Sequence, residues 1–120
     1  MDKTIIEWDP TQGAARQGDC LLIAVDTIPI EAVEAKAEAG QVILAHSETG
    51  HHHAIAQRVG VVAYRSDSPL VGWLRVVGEP ADLVHHRDHD THQTVRIPAG
   101  TYRVVRQREH TPKGWRQVAD

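Results

Sequence analysis

The sequence predicts an all-β protein, built as a small antiparallel β-barrel or sandwich; a jelly-roll arrangement also fits. Short apolar or alternating stretches of strand length recur through the chain, and turn-forming residues separate them about every eight to twelve positions. At most one short segment has the composition of a helix. At 120 residues we expect a single β domain, 1–120, with residues 1–17 as an N-terminal arm or edge segment.

The hydrophobic pattern places the strands. Residues 20–25 form a continuous apolar run, typical of a strand buried on both faces. From residue 41 onward the period is two, so that alternate side chains share a face. Residues 11–17 are predicted as loop. The predicted strands cover residues 4–8, 20–25, 41–46, 51–57, 59–65, 70–77, 81–85, 94–97, 102–109 and 115–118.

The single predicted helix spans residues 30–39, a segment rich in Ala, Glu and Lys. Pro29 stands just before it, as is tolerated at a helix start. Val33 and Ala37 share a face at helical spacing, and Gly40 follows as a candidate C-terminal cap.

Composition limits the classes of function. The single cysteine, Cys20, excludes an internal disulfide and a cysteine-based zinc site. The chain has no apolar segment of membrane-spanning length, so we expect no membrane association and a soluble, cytoplasmic protein. No nucleophile triad, phosphate loop or dinucleotide-binding motif is present. The apolar content is small for a monomer, which favours a homo-oligomer.

Basic residues concentrate near the C-terminus, although the formal net charge of the chain is −3. We interpret them as a solvated strand face, because few aromatic residues accompany them. A nucleic-acid surface is the disfavoured alternative. It would use Arg103, Arg106, Arg108 and Arg116.

Histidine is the residue that points to chemistry. Of nine histidines, eight lie in or just before two clusters, at residues 51–53 and 85–92. We expect the β scaffold to bring these clusters together around a divalent transition metal. Zinc is favoured, and iron, nickel and copper also accept neutral imidazole.

Spacing selects the candidate ligands. His51 and His53 lie two residues apart on a predicted strand and therefore project from one face. His89 and His92 have a spacing suited to a turn that wraps around an ion. All four together would close a tetrahedral structural site, whereas three and a water would leave a position for catalysis. The sequence leaves open whether any reaction is catalysed.

Three carboxylates and two other histidines lie nearby. Glu48, Asp88 and Asp90 could be ligands, second partners of a ligating histidine, or general bases, and the sequence does not choose. His46 and His85 are interpreted as structural. The alternative function is an oligomeric structural or assembly module of phage or mobile-element origin, with the histidines at an interface or surface.

Four stretches of the chain resemble one family: residues 17–23, 49–54, 89–92 and 98–109. They are similar to the pattern RxGDVLL, TGHxHA, HxxH and PxGxYxVxRQREY of small uncharacterised bacterial and phage-associated proteins. Cys20 stands where valine is usual, and His110 where an aromatic residue is common. The resemblance implies no activity, but it implies the same four ligands, His51, His53, His89 and His92.

A weaker similarity is to cupins, which are small β-barrels that hold a metal through His-x-His on one strand. Residues 50–53 and 97–100 are similar to parts of the cupin motifs. The acid expected shortly after His-x-His is absent from residues 54–60, and Tyr102 and Arg103 stand where a later histidine is expected. A conventional cupin site is therefore disfavoured.

Overall fold

The structure, a computed structural model, describes residues 5–45, 52–85, 93–111 and 114–117, of which 108–111 and 114–117 are described by their backbone alone. The strands in chain order are β1 Ile5–Glu7, β2 Ala15–Gln17, β3 Cys20–Ala24, β4 Val33–Ala35, β5 Gln41–Ala45, β6 His53–Ala56, β7 Val61–Arg65, β8 Val71–Val76, β9 Ala81–His85, β10 Thr94–Ile97, β11 Gly100–Arg106, β12 Arg108–Thr111 and β13 Gly114–Gln117.

Two sheets share one hydrophobic core, so the predicted all-β fold is confirmed, as a sandwich rather than a closed barrel. One sheet has the order β1-β10-β9-β6-β5 and the other β2-β3-β11-β8-β7-β4. All pairings are antiparallel except that of β1 with β10. β12 and β13 form a separate hairpin. Residues 4–8 were predicted as an arm or edge strand, and β1 is an edge strand.

Strand alternation builds the core. Leu22 and Leu74 project inward from the six-stranded sheet, and Leu83 and Ile97 from the five-stranded sheet. Each is at most 1% exposed. Their neighbours in sequence on β3 and β8 are half-buried, like Ile23, or exposed, like Arg75, so β3 is not buried on both faces as predicted. The outer face of this sheet remains partly accessible.

Tyr102 closes one side of the core. Its hydroxyl donates a hydrogen bond to the Pro98 carbonyl oxygen at 2.6 Å. Its ring lies 5.1 Å from that of Trp8, tilted by 43°. The Trp8 ring nitrogen donates to the Gly13 carbonyl at 2.9 Å, so the segment after β1 is held against the sandwich.

The predicted helix over residues 30–39 is wrong. Within that segment Val33–Ala35 form β4, an edge strand paired with β7. Ala39 and Gly40 both have positive φ, as a two-residue hairpin turn requires, and Glu38 and Gln41 exchange backbone hydrogen bonds across it. Ten residues with helical composition cannot outweigh the hydrogen bonds offered by an open sheet edge.

Two further predictions need correction. Residues 11–17 are not all loop, because Pro10–Gln12 form one 3-10 turn and Ala15–Gln17 form β2. The predicted strand 102–109 is divided at Gln107, whose N–H donates to the Asp19 carbonyl at 2.9 Å. The predicted turn at residues 47–50 lies outside the described residues.

Within the described parts of the chain, no helix is long and apolar enough to cross a membrane.

Alkaline pH should destabilise the protein through Tyr102, because burial raises the pKa of its phenol above the ordinary value of 10.0. The unfolded chain then loses the phenol proton first. The stabilisation is therefore present below about pH 10 and is lost as the pH rises through the folded-state pKa.

Tyr102→Phe separates this effect from others. At neutral pH the variant should be about 0.5–1.5 kcal/mol less stable, because the Pro98 carbonyl loses its donor. Between about pH 9 and pH 11 its free energy of unfolding should fall less than that of the wild type. Urea unfolding at three pH values measures both, and a parallel fall in the two proteins contradicts the prediction.

Candidate functional site

The two connections that carry the histidine clusters leave the same end of the five-stranded sheet. One joins β5 to β6 and the other joins β9 to β10. β6 and β9 are antiparallel neighbours, and His53, which begins β6, is paired with His85, which ends β9. The scaffold therefore starts both clusters from one corner of the sheet.

Of the four predicted ligands, the structure describes His53. The other three, His51, His89 and His92, lie outside the described residues. So do Glu48, Asp88 and Asp90. The geometry of the site is therefore derived from His53 and its surroundings.

His53 and His85 form a buried stacked pair. Their ring centroids are 4.2 Å apart and their planes differ by 14°. His53 is 0% exposed and His85 is 1% exposed. The stack fixes the plane of the His53 ring. The hydrogen-bonding partners of its two nitrogens must therefore lie in that plane.

Gln17 determines which nitrogen of His53 carries a proton. The Gln17 amide nitrogen donates to the carbonyl oxygens of Leu83, at 2.9 Å, and Gln93, at 2.8 Å. Carbonyl oxygens can only accept, so the orientation of the amide is fixed and its Oε1 is left as an acceptor. His53 Nδ1 lies 2.8 Å from this Oε1 and must therefore be the protonated nitrogen.

Asp19 lies at the other edge of the same ring. Its Oδ2 accepts from Arg106 Nε at 3.3 Å and from the terminal nitrogen of that guanidinium at 2.9 Å. Its Oδ1 lies 3.2 Å from His53 Nε2. Asp19 is 1% exposed and the Arg106 side chain 10% exposed, so this carboxylate is buried. The positive charge of Arg106 balances it at Oδ2.

A tight turn puts Gln17 and Asp19 on this ring. β2 and β3 form a hairpin in which Gln17 pairs with Cys20, and Gly18 between them has φ of 57°. A residue with a side chain rarely adopts that value, which explains the glycine. Arg106 on β11 is the Cα partner of Cys20. The network thus joins the six-stranded sheet to His53 on the five-stranded sheet.

The arrangement around His53 Nε2 requires a cation. With the proton on Nδ1, the lone pair of Nε2 faces the carboxylate oxygen of Asp19. Either a second proton or a metal ion can lie between them. A charge-assisted N–H···O bond is about 2.7–2.9 Å long. Two ligand atoms of one tetrahedral zinc ion are roughly 3.3–3.5 Å apart, given bonds of 2.0–2.2 Å. The observed 3.2 Å is near the second value and also within the ordinary N–H···O range of about 2.7–3.2 Å, so the distance fits either a proton or a metal ion.

Within residues 5–45, 52–85 and 93–107, no three His, Cys, Asp or Glu side chains converge as a metal site needs. The described donors are a pair, His53 Nε2 and Asp19 Oδ1. Further ligands would have to come from the two connections.

Sequence reasoning missed Gln17, Asp19 and Arg106. Asp19 was treated only as the start of a strand. Arg106 was assigned to a solvated basic face, which is wrong, because its side chain is inside the network. A signal was present in the sequence: Gln-Gly-Asp directly before an apolar run predicts a hairpin turn with polar side chains at a core edge. The interpretation of His85 as structural agrees with its place in the stack.

A cleft of about 450 Å³ opens beside this network, between β5 and the turn that joins β7 to β8. Its walls include Ala45, which is the Cα partner of His53, and Arg106. Tyr64, Trp73 and Arg65 line its outer part.

Residues 16–107 match the model of a family described as a domain of unknown function, DUF8820. The chain belongs to this family. The matched range begins one residue before Gln17 and ends one residue after Arg106, so it contains the whole buried network. Neither the curated proteins nor the solved structures include a match to this chain.

The buried pair of Asp19 and Arg106 should stabilise the fold far more than an exposed pair of the same kind. Asp19→Asn, studied in chelator, should lower the free energy of unfolding by about 3–5 kcal/mol, because it leaves the Arg106 charge buried without a counter-charge. Asp82→Asn is the matched control. Its partner Arg96 is 35% exposed and Asp82 itself 40% exposed, and the expected loss is about 1 kcal/mol or less. Equal losses in urea unfolding would show that burial does not matter here.

Proposed function

We propose that this protein binds one divalent transition metal at the end of the sandwich where the two histidine clusters begin. The proposed ligands are His51, His53, His89 and His92, with the Asp19 carboxylate as an additional donor. Zinc is the favoured ion. The observation that carries the proposal is the buried His53, whose Nδ1 lies on the Gln17 oxygen while its Nε2 faces Asp19 Oδ1 at 3.2 Å.

The first support is the tautomer. Histidines that bind metals commonly donate their other N–H to an oxygen, which orients the ring and leaves one lone pair for the ion. The Gln17 oxygen has this role toward His53 Nδ1. Gln17 itself is fixed by two backbone carbonyls. The ring is thus prepared for coordination through Nε2 without any rearrangement of its other partner.

The second support is the short length of chain that separates the other three histidines from the buried network. His51 is two residues before His53, and His89 is four residues after His85. His92 directly precedes Gln93, whose carbonyl oxygen accepts from Gln17. An extended chain spans at most about 3.3–3.6 Å per residue, so each of these histidines is tethered within about 15 Å of the network.

The donor set indicates the metal. Imidazole nitrogen and carboxylate oxygen together suit zinc, and also iron and nickel; copper accepts imidazole as well. If all four histidines bind, the ion closes the end of the sandwich and adds folding stability. If one position is held by water, the cleft beside Arg106 would give a substrate access, and hydrolytic or oxidative chemistry becomes available.

The test is elemental analysis of untagged protein purified without chelator. We expect about one equivalent of a transition metal per chain and a lower melting temperature after chelator treatment. His51→Ala and His89→Ala should each lose most of the bound metal. His110→Ala is the matched control, because it removes a histidine that lies apart from both clusters, and it should keep the metal.

Two results would overturn the proposal. One is a wild-type protein that carries no metal, acquires none on addition of zinc, and melts identically with and without chelator. The other is equal metal loss in His51→Ala, His89→Ala and His110→Ala. In the first case the cation between His53 and Asp19 is a proton, and the network is only structural.

We propose oligomeric assembly as a second function, which the small apolar content of the chain and its many short strands favour. Large aliphatic side chains are exposed near the edge strand β4 and the loop before β7. Ile30 is 99% exposed, Val33 51%, Val59 97% and Val77 57%. Val59 and Glu34 line a shared cleft of about 410 Å³. A second copy would bury this surface.

The double substitution Val59→Ser with Val77→Ser should shift the protein toward monomer, because it removes apolar area from the contact. Ile6→Ser is the control, since Ile6 is 40% exposed on β1, an edge strand of the other sheet. Size-exclusion chromatography with light scattering measures the mass. A wild type that is monomeric at every concentration, or a control that dissociates equally, contradicts the proposal.

A further inference from the structure

The outer face of the six-stranded sheet carries a row of side chains that cross four strands. Ile23 on β3, Arg103 on β11, Trp73 on β8 and Tyr64 on β7 are successive Cα partners. Partners in register project to the same side of a sheet. We call this set, with its neighbours Arg75 and Arg16, the outer face.

Alternation shows that these side chains point away from the core. Leu74 is adjacent to Trp73 and is 0% exposed, and Tyr102 is adjacent to Arg103 and is 2% exposed. Trp73 and Tyr64 are half-buried, whereas Arg103 is exposed. A tryptophan and a tyrosine therefore project from paired positions of adjacent strands, whose backbones are about 5 Å apart, on a surface that water reaches.

The charge of this face differs in sign from that of the chain. The formal net charge of the protein is −3, yet Arg16, Arg75 and Arg103 are all exposed on the outer face. Glu34, the partner of Tyr64, is an acid at the edge of the row. Within the described part of the chain, the three arginines make no side-chain hydrogen bond or ion pair. They are available to an acidic partner.

We propose that the outer face binds single-stranded nucleic acid. Bases stack on Trp73 and Tyr64, and the phosphates contact Arg103, Arg75 and Arg16. Stacking on aromatic side chains beside a basic track is how proteins hold single strands without reading their sequence. Of the arginines that the sequence placed in a basic surface, Arg103 remains in this one, whereas Arg106 is turned inward toward Asp19.

The charges also argue against a second copy of this chain as the occupant. A two-fold contact between outer faces would set the three arginines of one copy against the three of the other, and like charges in contact oppose association. A polyanion has no such penalty. A duplex fits less well, because its bases are stacked on each other and are not available to the two rings.

The test uses fluorescence anisotropy with a labelled 20-nucleotide oligothymidine and the same length of oligouridine, at low salt. We expect binding to both, weakened as salt increases. Arg103→Glu with Arg75→Glu should weaken it about tenfold or more, and Trp73→Ala about fivefold or more. Arg65→Glu is the control for charge, because Arg65 is exposed but follows Tyr64 on β7, and alternation along the strand directs it to the opposite side of the sheet.

Three outcomes would overturn the proposal. They are no anisotropy change with either probe, a loss of affinity in Arg65→Glu equal to that per substituted arginine in the outer-face variant, or tighter binding of a duplex than of the single strands. Should Trp73→Ala fail to fold by circular dichroism, the arginine variants decide the question. Loss of a dimer in light scattering with those variants, together with no oligonucleotide binding, would assign the face to a second copy. The metal content of the same variants is measured as well. Variants that keep their metal content but lose oligonucleotide binding show that the two sites are separate.

Discussion

The fold depends on one buried carboxylate, that of Asp19. A carboxylate in a protein interior is costly unless its oxygens are paired, and here one oxygen faces Arg106 and the other faces His53. Those partners come from different sheets, so satisfying the charge also joins the sheets. Gln17 adds a second connection, because it bonds to His53 and to the Leu83 carbonyl of the five-stranded sheet.

This constraint explains why the histidine clusters and the network occupy the same end of the sandwich. The turn at Gly18 brings both Gln17 and Asp19 to the point where β6 begins. His85 stacks on His53 from the neighbouring strand. The connections on either side of this pair carry the remaining clustered histidines. The proposed metal site would therefore need one hairpin turn of one sheet and two connections of the other, which no local segment could form alone.

The sequence predicted the strands correctly where alternation of side chains between core and solvent determines them. It failed where a segment is recruited to the open edge of a sheet. The strands from residue 41 to residue 106 are close to their predicted positions, because each has one face in the core. The segment 30–39 has a helical composition, but β7 offers unpaired backbone groups and residues Val33–Ala35 pair with them. Val33 is 51% exposed in that strand, so its hydrophobicity carried no information about burial. The same limitation applied to Arg106, whose charge alone suggested a solvated surface.

By itself, the sequence determined the fold class and most strand positions, because periodicity and turn residues are local properties. It also predicted a candidate site at the two histidine clusters from their density alone. Only the tertiary structure decided which polar groups meet. Asp19 and Arg106 are far apart in the chain, and they become neighbours because Arg106 on β11 pairs with Cys20, the residue after Asp19. The proton of His53 is placed by Gln17, whose own orientation depends on the carbonyls of Leu83 and Gln93. Such contacts depend on the packing of two sheets, and sequence spacing does not encode them.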